Sequence, residues 1–112
     1  MEIAVDKVGN VTVAVIPVDE LDAGNVGEFK RDIAPLVADG TRLVIDFSRL
    51  RFIDSSGLGA VLACVRQVSA NGGDLKLCGM SKQVRSTFEL VRMHRVFDIF
   101  ATCEEAVRAF SG

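Results

Sequence analysis

The groups with the most informative chemistry lie in one short run, Asp54-Ser55-Ser56-Gly57-Leu58-Gly59. The run follows the apolar pair Phe52-Ile53 and precedes apolar residues at helical spacing, so we expect a strand to give way to a helix there. The first amides of a helix have no intrahelical partner and lie at the positive end of its dipole. A phosphate on a hydroxyl at this position would meet amide donors. The run therefore predicts a phosphorylation site or, more simply, a serine N-cap.

The two glycines of this run predict a close approach of another group to the backbone. Without a Cβ, Gly57 and Gly59 would not obstruct a partner surface or a bound nucleotide. The simpler alternative is that they only pack within the protein. We expect the Asp54 carboxylate to orient the Ser55 loop rather than to act as a general base.

The elements that position this run begin with a predicted hairpin. Residues 3–5 and 11–16 are β-branched runs, and Gly9-Asn10 between them would supply the positive-φ positions of a tight turn. Asp22 then predicts the N-cap of a first helix, and Pro35 indicates that this helix ends or kinks near Ala34.

The rest of the chain alternates between predicted strands and helices. The nearly continuous apolar run 43–47 is typical of a central strand covered on both faces. A second helix should run from about residue 56 to residue 70, and Ser81 and Thr102 should cap two more. Further strands are expected at 75–78 and 96–100. The resulting order β-β-α-β-α-β-α-β-α predicts an α/β domain with one mixed sheet.

Composition narrows the class of protein. The 112 residues fit one domain, 1–112, and hydrophobic residues at 49% with charged residues at 25% are typical of a globular chain. A net charge of -2 without Tyr or Trp argues against direct nucleic-acid binding. The scattered Cys64, Cys78 and Cys103 and the lack of a signal-peptide pattern or a long apolar run favour a cytoplasmic protein away from membranes.

Three alternatives to a binding module receive little support. An enzyme using Ser55 would need a base, but the sole histidine, His94, lies in a polar stretch, where we expect it to be solvated. Capping and turn roles explain the acidic residues better than a metal cluster does, so we expect no metal or cofactor. A solvated helix face explains the basic residues around the third helix better than a nucleic-acid interface does. The acidic residues are Asp22, Asp46 and Asp54, and the basic ones are Lys82, Arg85, Arg92 and Arg95, interrupted by Glu89.

Two segments together resemble the signature of STAS domains of the anti-sigma-factor antagonist type. They are Leu43-Val44-Ile45-Asp46-Phe47 and Phe52-Ile53-Asp54-Ser55-Ser56-Gly57-Leu58-Gly59-Ala60. The resemblance extends to Glu20-Leu21-Asp22, Gly72-Gly73 and Val96-Phe97. It implies a single STAS-like domain with about four helices packed mainly on one face of the sheet.

The resemblance also implies a function and a set of partners. In that family the unphosphorylated antagonist binds an anti-sigma factor, a GHKL-type serine kinase, and frees the sigma factor, often in a stress response. The kinase phosphorylates the first serine after the aspartate, which is Ser55 here, and a PP2C-type phosphatase restores it. The implied partner-binding residues are Asp22, Asp54, Ser56, Gly57, Leu58 and Gly59. The alternative within the superfamily is a non-phosphorylated scaffold subunit of a signalling or lipid-transport assembly.

One residue departs from the family pattern. Members often have glycine before the Glu-Leu-Asp triplet, whereas this chain has Asp19, which adopts left-handed backbone less freely. We expect a differently shaped, more acidic loop at 18–22. This loop, the turn at 54–59 and the exposed side of the second helix should form the docking surface. Phosphorylation should block docking by charge and bulk without refolding the domain.

Overall fold

A computed structural model describes residues 1–111, except for the side chain of Ser111. The strands are β1 (Ala4–Val8), β2 (Val11–Val15), β3 (Glu20–Leu21), β4 (Arg42–Asp46), β5 (Phe52–Ile53), β6 (Asp74–Cys78) and β7 (Asp98–Phe100). The α-helices are α1 (Val26–Ile33), α2 (Ser55–Ala70), α3 (Lys82–Leu90) and α4 (Cys103–Ser111). Short 3-10 helices span Ala34–Leu36 and Met93–Arg95.

The strands form two sheets rather than the single sheet that the sequence predicts. The larger sheet has the order β1-β2-β4-β6-β7, with β1 antiparallel to β2 and the other pairs parallel. It is mixed, as predicted. The strands β3 and β5 form a separate parallel pair, with Glu20 opposite Phe52 and Leu21 opposite Ile53. This pair, which the sequence analysis missed, brings the loop before α1 to the start of α2.

The two faces of the larger sheet are covered unequally. Alternate residues of its strands point to opposite faces, as in any pleated strand. One face packs against α1, α2 and α3, which contribute Phe29, Val61 and Phe88 to a large buried cluster. The other face packs against α4 through a smaller buried cluster: Val11, Val13, Val44, Cys78 and Ala106. The predicted placement of the helices mainly on one face is confirmed.

Several predicted helix boundaries are confirmed by their hydrogen bonds. The Ser81 hydroxyl accepts from the Val84 amide at 3.1 Å, and the Thr102 hydroxyl accepts from the Glu105 amide at 3.2 Å. Helix α1 ends at Ile33, and Pro35 lies in the 3-10 helix that follows. Pro35 lacks an amide hydrogen, so the chain leaves α-helical geometry where it was expected to do so.

One local prediction is confirmed only in part, and another is wrong. Gly9 has a positive φ of 63° in the β1–β2 turn, but Asn10 does not share that conformation, so a single glycine provides the left-handed backbone. Asp22 does not cap α1, since the helix begins later and Asn25 occupies the N-cap position without a capping side-chain bond.

Within residues 1–111, no helix combines the length and apolar character needed to cross a membrane.

Candidate functional site

Helix α2 is capped by Asp54 rather than by either serine. Asp54 has extended backbone, and its Oδ1 accepts a hydrogen bond from the Gly57 amide at 2.9 Å. Ser55 is therefore the first residue of the helix and Ser56 the second. This corrects the serine N-cap interpretation, including a capping role for Ser56. Because the aspartate satisfies the helix start, the Ser55 hydroxyl is free for other chemistry.

The same aspartate joins the start of α2 to the loop before α1. Its Oδ2 accepts from the Ala23 amide at 3.1 Å, and its own amide donates to the Leu21 carbonyl at 3.2 Å. One carboxylate thus receives donors from two segments that are distant in sequence. Charge-assisted hydrogen bonds of this kind are stronger than neutral ones, so Asp54 fixes both segments together. The expected contact between the 18–22 loop and the 54–59 turn is confirmed.

The loop from residue 18 to residue 25 is held by its own polar side chains. Asp22 Oδ1 accepts from the Gly24 amide at 2.9 Å, which forms a tight turn. Asn25 Oδ1 accepts from the Asp22 amide at 3.0 Å, and its Nδ2 donates to the Glu20 carbonyl at 2.7 Å. Asp22 therefore shapes the loop instead of capping a helix. Asn25 is not among the predicted site residues, although the Asp-x-Gly-Asn spacing is typical of such a turn.

Gly57 and Leu58, two of the expected partner-binding residues, are buried in the free chain. A Cβ on Gly57 would lie 2.5 Å from the Leu21 carbonyl oxygen and 2.7 Å from Ile53 Cγ1. The absence of a side chain is therefore needed for packing between α2 and the β3–β5 pair. Leu58 belongs to the large core cluster and is 5% exposed. Gly59 differs, because it is exposed and a Cβ there would meet open space.

The exposed part of the site combines a hydroxyl, acidic groups and an aromatic ring. Ser55 is exposed and Ser56 is half-buried. Asp19 and Glu20 are exposed on the neighbouring loop, and Phe52 is 44% exposed beside them on β5. Phe52 is not among the predicted site residues, although the alternation of Phe52 with the buried Ile53 indicates an outward-facing side chain. An apolar ring next to carboxylates is suited to contact with another protein surface.

The Asp19 carbonyl fixes the amino-terminal end of the loop from residue 18 to residue 25. It accepts hydrogen bonds from the amides of Arg51, at 2.6 Å, and Phe52, at 3.1 Å. The residue that departs from the family pattern therefore contributes its backbone to the β3–β5 connection and leaves its carboxylate exposed. Among the described residues, positive φ at a non-glycine position occurs at Arg92 and not at Asp19. The expected extra acidity is present, and the loop needs no left-handed residue there.

The groups considered for catalysis and metal binding do not converge on Ser55. His94 lies in the 3-10 helix before β7, whereas Ser55 follows β5. The expectation of a solvated His94 is only partly correct, because its Nδ1 is buried and has no hydrogen-bond partner within residues 1–111. Asp46 lies beside Cys78 and Cys103 and not with Asp22 and Asp54. The site at Asp54 thus has the properties of a contact surface with one exposed nucleophilic hydroxyl.

The basic residues of the third helix and of the segment that follows it are exposed. Lys82, Arg85, Arg92 and Arg95 are all exposed. Arg85 Nε lies 3.4 Å from Glu89 Oε2, one helical turn further along α3. An acidic residue pairing with the basic ones is typical of a solvated helix face.

Comparison with known proteins places the chain in a family. The STAS domain family model matches residues 2–106. The Bordetella bronchiseptica protein BtrV, named as an anti-sigma factor antagonist, is 30% identical over 111 residues, covering 98% of this chain and 95% of BtrV. A STAS-domain anti-sigma-factor antagonist from Planctomyces limnophilus superposes with a TM-score of 0.90 at 20% identity, covering 98% of each chain. The phosphorylated form of Bacillus SpoIIAA superposes with a TM-score of 0.68 at 28% identity, covering 97% of this chain and 99% of that one.

These similarities agree with the geometry of the site. The sheet order, the placement of the helices and the Asp54–Ser55 start of α2 all lie within the matched residues. The names of the relatives describe regulatory proteins rather than enzymes. The chain belongs to the STAS-domain family of anti-sigma-factor antagonists.

Proposed function

We propose that this protein is the antagonist of a cytoplasmic partner-switching pathway. Its unphosphorylated form binds an anti-sigma factor that is also a GHKL-type serine kinase, and the sigma factor is thereby freed. Phosphorylation of Ser55 abolishes the binding, and a PP2C-type phosphatase restores it. The observation that carries this proposal is the exposed Ser55 at the first position of α2, directly after the capping Asp54.

The position of Ser55 suits a reversible phosphate. Its side chain is exposed, so a kinase can reach the hydroxyl and the phosphate can remain hydrated in the free protein. The positive end of the helix dipole stabilises negative charge at this residue. The relative SpoIIAA has been solved in a phosphorylated form, which supports the same chemistry here. The partner of this chain then recognises the presence or absence of one charged group.

The proposed docking surface consists of residues 18–22, residues 54–59 and the exposed side of α2. The Asp54 hydrogen bonds hold the first two segments in fixed relation, so the free protein presents a preformed surface. Gly59 offers an accessible backbone on this surface, and Phe52, which borders it on β5, adds an exposed apolar ring. Asp19 and Glu20 add negative charge, which favours a basic partner surface.

Phosphorylation acts locally in this mechanism. The phosphate adds roughly -1.5 to -2 charges beside Asp54. In a closed interface those charges lose water, and like-charge juxtaposition costs several kcal/mol. Ser55 is already exposed, so no rearrangement is needed to accommodate the phosphate in the free protein. A refolding mechanism would need a second packing of similar energy.

The deciding experiment incubates the purified chain with ATP and each purified GHKL-type kinase of its source organism. Intact mass and fragment spectra should show one phosphate, located on Ser55. Ser55→Ala should remain unmodified, whereas the matched control Ser56→Ala should still accept the phosphate. Modification of Ser56 alone, or no modification by any of the kinases, would contradict the proposal and favour a non-phosphorylated scaffold.

A second experiment tests the docking surface. Chemical-shift mapping with the kinase that modifies the chain should perturb residues 18–22, residues 54–59 and the exposed side of α2. Perturbations confined to residues 81–95 would show that the partner binds the third helix instead. The Gly59→Arg variant, which adds a long side chain in open space, should weaken binding without loss of the fold.

A further inference from the structure

A second cluster of reactive side chains lies where α4 meets the larger sheet. Asp46 is the last residue of β4, Cys78 is the last residue of β6, and the two are register partners. Cys103 is the first residue of α4, which packs on the same face as Cys78. One carboxylate oxygen of Asp46 and the two Sγ atoms all lie within 4.8 Å of one another.

The separations within this cluster are close to those of a metal site. Zinc–sulfur bonds of about 2.3 Å at tetrahedral angles place two sulfurs roughly 3.8 Å apart. Separations within 4.8 Å reach that value with small side-chain rotations. Asp46 is already held, because its Oδ1 accepts from the Ser48 amide at 2.8 Å. A part of the donor set is therefore preorganised by the fold.

Negative charge at the cluster favours a bound cation, whereas burial disfavours the thiolates that would bind it. Burial raises the pKa of the Cys78 thiol, and the negative charge of Asp46 raises it further. Burial also raises the pKa of the Cys103 thiol, and Asp46, Glu104 and Asp6 add to that effect, although a hydrogen bond with Cys78 opposes it. An excess of negative groups disfavours thiolates in the absence of a cation. A divalent ion reverses this balance, because it stabilises the thiolates directly.

We propose that Asp46, Cys78 and Cys103 bind a thiophilic divalent metal ion of the Zn²⁺ class. Two metal–sulfur bonds form as the two thiol protons leave to solvent, and the Asp46 carboxylate is the third ligand. A water molecule completes the tetrahedron. Cys103 is half-buried and lines a surface cavity with Asp6 and Glu104, which gives the ion a path from solvent. The ion would fasten the start of α4 to the ends of β4 and β6.

A disulfide between the same cysteines is the competing chemistry. Cys78 is fully buried, so an oxidant could reach this pair only through Cys103, which lines the surface cavity. A disulfide would also leave Asp46 without a role beyond its bond to Ser48. The convergence of a carboxylate with both sulfurs therefore favours a metal ion over oxidation.

The test is a titration of the full chain, treated with chelator and kept reduced, with Co²⁺ as the probe. We expect a saturable 1:1 complex with thiolate-to-cobalt charge-transfer absorption, which Zn²⁺ displaces. Cys103→Ser should weaken binding at least about tenfold and reduce the absorption. The control Cys64→Ala should leave both unchanged, because Cys64 belongs to the core cluster on the opposite face of the sheet.

Thermal unfolding provides the second readout. Zn²⁺ should raise the Tm of the parent chain and of Cys64→Ala, and it should leave the Tm of Cys103→Ser unchanged. Cobalt binding without the charge-transfer absorption, or unchanged binding by Cys103→Ser, would overturn the proposal. It is equally overturned if the reduced chain binds no metal while the air-exposed chain loses two hydrogens through a disulfide. Each outcome is independent of whether Ser55 is phosphorylated.

Discussion

Asp54 and Asp46 both follow or end a strand, and both accept a hydrogen bond from a backbone amide slightly further along the chain. Asp54 Oδ1 receives the Gly57 amide at 2.9 Å, and Asp46 Oδ1 receives the Ser48 amide at 2.8 Å. Their surroundings differ. Asp54 also receives the Ala23 amide and lies next to an exposed hydroxyl, whereas Asp46 lies beside two thiols. The same local motif thus occurs in two different chemical environments.

A hydrogen bond from a nearby backbone amide therefore does not by itself determine what an aspartate does. The role of each aspartate depends on which group from a distant segment of the chain lies beside its carboxylate. At Asp54 this is the Ala23 amide in the loop before α1, and at Asp46 it is Cys103, the first residue of α4. Changes at the two sites should therefore have different consequences.

The largest expected effect is that of phosphate on Ser55. The phosphorylated chain should bind its kinase partner about a thousandfold more weakly, which corresponds to about 4 kcal/mol. Ser55→Asp should weaken binding in the same direction but less, since it carries less charge, and Ser55→Ala should bind constitutively. Calorimetry measures the affinities. Backbone shifts on phosphorylation should remain near the loop, and shifts that spread across the sheet would show that the domain refolds.

The next largest effect concerns the packing beneath the site. Gly57→Ala should destabilise the fold by about 3 kcal/mol, because the new methyl group meets a backbone carbonyl and the Ile53 side chain. Gly59→Ala is the matched control in the same helix. It adds a methyl group in open space and should stabilise the fold by about 0.5 kcal/mol. Urea denaturation measures both, and equal stabilities would show that the close approach at Gly57 is not rigid.

Asp54→Asn tests the two-sided hydrogen bonding. An amide has one acceptor oxygen, so its NH₂ group would face either the Gly57 or the Ala23 amide, which are both donors. We expect a loss of about 1–2 kcal/mol in stability, with native circular dichroism and weaker partner binding and phosphorylation. Unchanged binding together with unchanged phosphoryl transfer would disprove the orienting role of this carboxylate.

Asp46→Asn should have the smallest effect on the metal-free protein. Its side-chain oxygen can still accept from the Ser48 amide, so the free energy of unfolding should change by less than about 0.5 kcal/mol. The same variant should weaken Co²⁺ binding, because a charged ligand is replaced by a neutral one. A large loss of stability without metal would indicate that Asp46 has a structural role comparable to that of Asp54.

The sequence predicts elements well where the signal is local. Ser81 and Thr102 are helix caps because each hydroxyl accepts a hydrogen bond from the amide three residues later. The exposed position of Ser55 follows similarly from the strand-to-helix transition that the apolar pattern indicates. The serine N-cap interpretation fails because the preceding aspartate competes for the same amide and satisfies it.

The sequence predicts less where distant segments meet. The β3–β5 pair is two residues long on each side, which is too short to produce a periodic signal. Asp22 has the residue type and position of a cap, but Asn25, three residues later, occupies the N-cap position, and its Oδ1 accepts a hydrogen bond from the Asp22 amide. The grouping of Cys78 with Cys103 depends on how α4 crosses the sheet, and sequence spacing carries no information about that.

The separate β3–β5 pair has a consequence for hydrogen exchange. Its bonds to the rest of the protein include those of Asp54 and the contact of Gly57 with Leu21, while the larger sheet has its own uninterrupted ladder. Opening the pair would also expose the buried Leu21 and Ile53, but it would leave the ladder of the larger sheet intact and should cost less free energy than global unfolding. The amides of Ala23 and Asp54 should exchange together, and faster than those of Val44 and Leu77. A docked partner covering residues 18–22 and 54–59 would slow that exchange. The exchange rate of these amides would therefore measure how much of the protein is bound to its partner.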